Sequence, residues 1–276
     1  MDLVAQSLEV NMNNSKLISN ITKKYEFKIE PSKNIRKEYF YRFKKRYYKF
    51  IGKEKKFLNS NTIFKDLSKN EFNVTKILSE IDNMSSIAVG FIINQIAKKL
   101  DKDDVYLNIG IYRGFSLLAG ILDAECKVYG VDNFSHEYHR GDKSLIPRDD
   151  ISENIASKKY FFSYFNKYKD DKKHKFFEID YKKFFHNFNE YINFYYYDAD
   201  HSYENQLENL LIANEFLKKN AIILVDDYNE EQVERATLDF IARNSTKFKI
   251  IKEFKTANRF IHPTYANGII LFEKHS

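Results

Sequence analysis

Short apolar runs recur along residues 101–276, separated by amphipathic stretches that have helical spacing. Runs of this kind, bounded by polar residues, are typical of buried strands. The runs that predict strands are 105–109, 126–131, 175–179, 192–197 and 221–225, followed by 247–254 and 268–272, which have no helix between them. Strands that alternate with helices indicate parallel βαβ units. We therefore expect an α/β fold with a Rossmann-like, doubly wound, mostly parallel seven-stranded sheet whose final strand is antiparallel.

The chain before the sheet has a different character. Residues 61–100 look helical, with apolar residues at Ile87, Phe91, Ile92 and Ile96 at the spacing of one helix face. We expect residues 1–80 to form a basic, mainly helical N-terminal extension and residues 81–276 to form the α/β domain. Residues 1–60 precede every candidate site residue, so we expect them to serve substrate binding or oligomer contacts rather than cofactor binding.

The net charge of +6 is unevenly distributed. Residues 1–60 contain 15 Lys and Arg against 6 Asp and Glu, a net of +9, which leaves −3 for the rest of the chain. Basic and aromatic residues interleave over residues 36–49. Such a segment could bind nucleic acid, anionic lipid or a phosphorylated substrate. The alternative is an amphipathic helix with packed aromatic and solvated lysine side chains.

Length and cysteine usage narrow the class of protein. A chain of 276 residues with 43% hydrophobic residues can bury a sizeable core. No apolar run is long enough for a transmembrane helix, and the first residues lack the pattern of a signal peptide. Cys126 is the single cysteine, so the chain has no internal disulfide. We therefore expect a cytoplasmic protein.

Two acidic clusters follow two of the predicted strands. Asp198, Asp200 and His201 come after 192–197, and Asp226 and Asp227 come at the end of 221–225. Ligands of open α/β sheets bind at the carboxyl ends of the strands. Carboxylates there suit a hard cation, and the histidine is a candidate base beside it. The alternative is that these acids cap the helices that follow.

A glycine-containing turn follows the first strand of the predicted sheet. Residues 108–116 contain Gly110 and Gly114, whose spacing argues against the G-x-G-x-x-G turn of a dinucleotide site. Glycine lets the backbone turn sharply and approach a ligand closely. Asp132 ends the second strand, where an acid can accept hydrogen bonds from ribose hydroxyls. Asp180 ends the third, where a carboxylate could accept a hydrogen bond from an adenine amino group. Both could instead cap helices or loops.

Together, these elements resemble a class I S-adenosylmethionine-dependent methyltransferase over residues 80–276. The acidic clusters resemble methyltransferase family 24 and are similar to metal-dependent sugar O-methyltransferases. The resemblance implies metal ligands at Asp198, Asp226 and Asp227, and His201 as the general base, which we expect to be neutral at pH 7. It also implies a cofactor site formed by Asn108, Gly110, Tyr112, Gly114, Ser116, Asp132, Asn133, Asp180 and Asp198. Asn108 departs from the pattern, because the family usually has an acid there.

The resemblance implies an enzyme that uses S-adenosylmethionine and Mg²⁺ or Mn²⁺. Its expected acceptor is a sugar, glycan or similar small hydroxylated molecule. One alternative is an RNA methyltransferase whose basic N-terminus binds the phosphate backbone. Another is a non-catalytic domain that keeps the metal site. A nicotinamide-dependent oxidoreductase is disfavoured by the glycine spacing.

Overall fold

A computed structural model describes residues 13–29, 59–81, 83–135, 151–256 and 262–276, together with Tyr47 and Phe50. Nearly all of the basic stretch 36–49, and residues 136–150, lie outside the described residues. The helices are α1 (Asn14–Thr22), α2 (Lys69–Glu80), α3 (Ile87–Ala97), α4 (Phe115–Ile121), α5 (Ile151–Tyr168), α6 (Tyr181–Asn187), α7 (Tyr203–Asn214) and α8 (Glu231–Arg243). The strands are β1 (Tyr25–Phe27), β2 (Thr62–Phe64), β3 (Val105–Ile109), β4 (Lys127–Val131), β5 (His174–Phe177), β6 (Ile192–Tyr197), β7 (Leu217–Val225), β8 (Phe248–Phe254) and β9 (Ile269–Lys274).

Seven strands form the main sheet in the order β5-β4-β3-β6-β7-β9-β8. The pairs from β5 to β7 are parallel, whereas β9 runs antiparallel to both β7 and β8. The predicted seven-stranded, mostly parallel sheet with an antiparallel final strand is therefore confirmed. Strand β7 begins at Leu217, earlier than predicted, because α7 already ends at Asn214.

The sheet separates two layers of core, and the alternation of side chains along β6 connects it to both. Phe194 and Tyr196 point into the layer that contains α1, α3, α4 and α5. Tyr195 and Tyr197 point into the opposite layer, which contains α6, α7 and α8. Successive side chains of a strand point to opposite faces, so a run of four buried residues requires helices on both sides. This is the doubly wound arrangement expected from the sequence.

The described part of the N-terminal extension packs on the same core. Leu17, Ile18 and Ile21 of α1 are buried in the first layer, and β1 pairs antiparallel with β2. The expectation that residues 61–100 are helical is wrong at its start, because Thr62–Phe64 is a strand. Its pairing partner is distant in the sequence, so helical spacing could not reveal it. The division of the chain at residue 80 stays a prediction.

Among the described helices, none has the length and apolar character needed to cross a membrane.

Replacement of Ile18 by alanine tests whether α1 is integral to the fold. Ile18 is 2% exposed, and removing a buried Ile side chain costs about 2–5 kcal/mol. We expect urea unfolding to show a loss in this range. Asn20→Ala, at an exposed position of the same helix, is the matched control. An Ile18→Ala protein as stable as this control would show that α1 contributes nothing to the core.

Candidate active site

The carboxyl ends of four strands stop at the same edge of the sheet. Ile109 of β3 pairs with Val131 of β4 and with Tyr197 of β6, and Tyr197 pairs with Val225 of β7. The residues that leave the sheet side by side are therefore Gly110, Asp132, Asp198 and Asp226. The register thus places the predicted cofactor turn beside the predicted metal ligands.

The turn after β3 depends on its two glycines. Gly110 has a φ of +85°, and a Cβ atom there would lie 1.8 Å from the carbonyl oxygen of Asp198. Gly114 has a φ of +92°, and a Cβ atom there would lie 2.5 Å from the Phe161 ring. Tyr112 also has a left-handed φ of +49°. Only a residue without a side chain fits at Gly110, because the turn contacts the backbone of the Asp198 segment directly.

Asn108 has a structural explanation for replacing the usual acid. Its side chain is fully buried at the end of β3, and its Nδ2 donates to the carbonyl oxygen of Gly110 at 3.0 Å. The hydroxyl of Tyr106 donates to its Oδ1 at 3.4 Å. An ionised carboxylate cannot donate a hydrogen bond, so an acid at this position could not make the bond to Gly110. Ser116, also predicted at the cofactor site, is buried in α4.

Asp132 holds the glycine turn through backbone hydrogen bonds. Its Oδ2 accepts from the N–H groups of Ile111 at 2.6 Å and Tyr112 at 3.0 Å. Its Oδ1 accepts from the N–H of Phe134 at 2.6 Å. The amide oxygen of Asn133 accepts from Ser135 in a local turn. Contacts of Asp132 and Asn133 with a ribose stay a prediction, but the structural role of Asp132 is clear.

Asp180 lies at the end of the segment after β5 and caps α6. Its Oδ1 accepts from the N–H of Lys182 at 3.0 Å, which is the capping alternative weighed from the sequence. A capping carboxylate still has free lone pairs, so a contact with an adenine amino group stays a prediction.

Asp198, His201 and Asp227 come together at the ends of β6 and β7. One ligand atom from each lies within 4.8 Å of the other two. His201 Nε2 lies 3.0 Å from Asp227 Oδ2 and 3.7 Å from Asp198 Oδ1. Two carboxylates and an imidazole at this spacing can hold a divalent cation such as Mg²⁺ or Mn²⁺. Asp200 takes no part in this cluster of ligand atoms, and its Oδ1 accepts from the N–H of Ser202 at 2.7 Å.

Asp226, the third predicted ligand, lies outside this group of three ligand atoms. Its side chain is buried, and its Oδ2 accepts from the Tyr196 hydroxyl at 2.5 Å. Its Oδ1 accepts from the N–H of Asp227 at 2.9 Å. The same Tyr196 hydroxyl lies 3.4 Å from Asp198 Oδ2, so Asp226 is connected to the cluster through tyrosine. Direct coordination by Asp226 stays a prediction.

The crowding of carboxylates changes the proton affinity of every member. Burial, together with the charges of Asp198 and Asp227, raises the pKa of Asp226 well above its usual range. Burial also raises the pKa of Asp198. Burial opposes ionisation of Asp227 too, but the hydrogen bond and the charge of His201 lower its pKa.

The expectation of a neutral His201 stays a prediction, because the carboxylates around the imidazole favour its charged form in this cation-free arrangement. Burial disfavours the charged imidazole, yet the carboxylates of Asp198, Asp227 and Glu230 outweigh burial and raise the pKa of His201 far above its ordinary value. The ordinary pKa of histidine takes no account of neighbouring charges, whereas the fold brings three carboxylates to this imidazole. A cation bound by Asp198 and Asp227 would oppose this protonation, because it carries the same sign of charge.

Three residues of the site were not singled out from the sequence. Glu230 contacts His201 with its Oε2 at 3.3 Å from Nδ1. Tyr196 bridges the two acidic segments, and Asn267 donates to Glu230 Oε1 at 3.3 Å. The position of Glu230, three residues after Asp227 at the start of a helix, is a signal that could have found it. Asn267 comes from the segment before β9, and no local pattern points to it.

Comparisons with known proteins agree with this architecture. Residues 107–228 match the model of methyltransferase family 24, which is described as a methyltransferase domain. The match contains the glycine turn and both acidic clusters. This segment is therefore similar to a methyltransferase domain of this family. No curated protein matches the chain significantly in sequence.

The chain is similar to solved structures at low sequence identity, and the first of those described here shows the same fold. The cofactor-bound Rv0187 protein from MTB is 12% identical, with 75% of this chain and 88% of that chain covered at a TM-score of 0.51. An O-methyltransferase from Bacillus cereus in complex with SAH is 10% identical, with 75% and 91% covered at a TM-score of 0.49. The O-methyltransferase TomG from Streptomyces achromogenes, in complex with SAM, is 9% identical, with 76% and 92% covered at a TM-score of 0.49.

Replacement of Asp132 by alanine tests its role in holding the turn. Three backbone N–H groups lose a charged acceptor, and one such bond contributes about 1.5–3 kcal/mol. We expect the ligand-free protein to be destabilised by at least this amount in urea unfolding. Glu178→Ala is the control, because it removes a carboxylate from an exposed ion pair with Lys158, which contributes about 0–1 kcal/mol. If the two variants are equally stable, Asp132 does not stabilise the turn, and ligand binding would be its remaining role.

Proposed function

We propose that the protein is an S-adenosylmethionine-dependent, divalent-cation-assisted O-methyltransferase acting on a sugar, glycan or similar small hydroxylated acceptor. The observation that carries the proposal is the meeting of Asp198, His201 and Asp227 beside the glycine turn. The methyltransferase fold supports the donor, and the acidic cluster supports the cation. The three-residue offset between Asp198 and His201 supports the acceptor class, through the resemblance to metal-dependent sugar O-methyltransferases.

The donor end of the site is formed by the turn after β3. S-adenosylmethionine supplies a methyl group on a sulfonium, which is activated toward nucleophiles. Gly110 and Gly114 leave the backbone uncovered for close approach, and Asp132 keeps that backbone in place. We assign ribose contacts to Asp132 and Asn133 and an adenine contact to Asp180. Asn108, Tyr112, Ser116 and Asp198 complete the proposed donor site.

The acceptor end is formed by the acidic cluster. Asp198 and Asp227 would hold the cation, with Asp226 as the further proposed ligand. A divalent cation lowers the pKa of a hydroxyl bound to it. Asp198 and Asp227 fit this group, because one ligand atom from each lies within 4.8 Å of the other and of His201. Their like charges also repel unless a cation lies between them.

His201 is the proposed general base. Methyl transfer forms a carbon–oxygen bond to the acceptor while the carbon–sulfur bond of the donor breaks, and the hydroxyl proton must go to a base. Nε2 of His201 lies among the proposed metal ligands, 3.0 Å from Asp227 Oδ2. It would receive the proton there. Positioning of donor and acceptor at one sheet edge contributes as well, because orientation can lower a barrier by about 7–11 kcal/mol.

Donor and cation binding can be tested before the acceptor is identified. We expect S-adenosylhomocysteine to bind with a stoichiometry of one in isothermal titration calorimetry. We expect Mn²⁺ binding, followed by electron paramagnetic resonance, to weaken in Asp198→Asn and Asp227→Asn. Glu231→Gln, at an exposed position nearby, is the control for charge. A protein that transfers methyl groups at full rate after exhaustive chelation would contradict the role of the cation.

Replacement of His201 by alanine tests the base. Loss of a general base costs about 100- to 10,000-fold in rate, whereas affinity for S-adenosylhomocysteine should remain. The assay measures transfer of a radiolabelled methyl group to a panel of sugars and glycans. His186→Ala, at an exposed histidine of α6, is the matched control. Normal turnover by a folded His201→Ala protein would show that another group is the base. Methyl transfer to RNA but to none of the sugars or glycans would contradict the proposed acceptor class.

A further inference from the structure

We propose that Glu230 is a positioning residue for His201. Its carboxylate holds Nδ1 of the imidazole, so that Nε2 faces the acceptor hydroxyl. This inference rests on the proposed function, because it gives Glu230 a part in preparing His201 for proton transfer. Glu230 lies immediately before α8, whereas the acidic cluster is formed by residues that follow β6 and β7.

The two nitrogens of His201 have different partners. Nδ1 lies 3.3 Å from Glu230 Oε2, whereas Nε2 lies 3.0 Å from Asp227 Oδ2. An ionised carboxylate can only accept hydrogen bonds, so Asp227 favours a proton on Nε2 and Glu230 favours a proton on Nδ1. With the Asp227 carboxylate taken up by the proposed cation, Glu230 would remain the acceptor at Nδ1 and leave the lone pair of the neutral ring on Nε2. A carboxylate at one nitrogen commonly sets the orientation and tautomer of a functional histidine.

The local helix does not explain where the Glu230 side chain points. Glu230 occupies the N-cap position of α8, yet its side chain makes no capping hydrogen bond. The N-cap side chains of α2, α3, α6 and α7 each accept from a backbone N–H of their own helix. Short polar side chains such as Ser and Asp usually cap the helix from this position, whereas the longer Glu230 side chain is free to reach elsewhere. At α8 the carboxylate instead contacts His201, which indicates a role outside the helix.

Neighbouring segments hold Glu230 in this position. Its N–H donates to the carbonyl oxygen of Asp227 at 2.8 Å, and Asn267 Nδ2 donates to its Oε1 at 3.3 Å. The Asn267 carbonyl in turn accepts from the N–H of Asn229 at 2.9 Å. Gly268 has a φ of +84°, and a Cβ atom there would lie 2.6 Å from Asn229 Oδ1. Glu230 is therefore tied both to the metal-binding segment and to the segment before β9.

We expect removal of the Glu230 carboxylate to lower the rate of methyl transfer without changing the affinity for the donor. Without Glu230, the imidazole of His201 loses its partner at Nδ1 and can rotate away from the reacting hydroxyl. Removal of such supporting partners typically lowers activity about 10- to 100-fold. Asp132 bonds to the glycine turn, whereas Glu230 bonds to Asn267. Because Glu230 supports a different part of the described site, the Michaelis constant for the donor should not change.

The experiment compares Glu230→Ala and Glu230→Gln with the neighbouring control Glu231→Ala. Turnover is measured with S-adenosylmethionine and an accepted sugar. In parallel, ¹⁵N-histidine NMR of the full chain with S-adenosylhomocysteine and Mg²⁺ follows the Nδ1–H signal of His201, assigned by its loss in His201→Gln. The glutamine variant retains side-chain size, but it removes the charge and replaces one of the two oxygens that face His201 and Asn267 with an NH₂ donor.

We expect both Glu230 variants to lose about 10- to 100-fold in kcat, with the donor KM unchanged and the Nδ1–H signal shifted or lost. Glu231→Ala should retain both the rate and the signal. If a folded Glu230→Ala protein keeps the wild-type kcat or the wild-type signal, the inference is overturned while the proposed function stands. If the wild-type protein binds no S-adenosylhomocysteine, the proposed function fails and this inference fails with it.

Discussion

The shared register of β3, β6 and β7 is the constraint on which the site depends. Ile109, Tyr197 and Val225 end their strands at one level, so the glycine turn and both acidic segments leave the sheet together. A slip of one residue would turn every side chain of a strand to the opposite face. The alternating aromatic side chains of β6, buried in both layers, make such a slip costly. The core therefore determines the geometry of the site.

The second constraint is the close approach of charges. Asp198, Asp226 and Asp227 would repel one another strongly in a partly buried setting. The carboxylates raise the pKa of His201 and so favour an opposing positive charge on its ring, and the Tyr196 hydroxyl donates a hydrogen bond to Asp226. Under the proposed function, a divalent cation would take over the neutralising role of His201. The histidine would then be released from its ion pairs and able to accept a proton.

The pattern of apolar residues predicted the strands well where a strand is buried on both faces and its own sequence shows this. Strands 105–109 and 192–197 were predicted with the bounds that the structure has, because strands buried on both faces are continuous apolar runs. Strand β2 escaped prediction, because its three residues pair with a segment far away in the chain. In the same way, Asn267 reaches the site from a distant segment, so the spacing of residues in the sequence could not predict its contact with Glu230.

The candidate site was only partly predictable for a related reason. The offset between Asp198 and His201 is local, and the structure brings their side chains together as expected. The direction of Asp226 depends on the strand: it continues the alternation of β7 and points to the layer of Tyr196. Asp227 escapes that alternation through a left-handed φ of +52°, so it reaches His201 while its neighbour does not. The protonation of His201 depends on three acids that meet only in the fold.

The most direct test of the account is anomalous diffraction from crystals grown with Mn²⁺ and S-adenosylhomocysteine. We expect one Mn²⁺ peak bound by the carboxylates of Asp198 and Asp227. We also expect the nucleoside to lie along the turn at Gly110, with its sulfur directed toward that ion. Crystals that contain S-adenosylhomocysteine in this turn but no Mn²⁺ at the acidic cluster would contradict the cation-assisted mechanism. Absence of the nucleoside from the turn at saturating concentration would contradict the assignment as a methyltransferase.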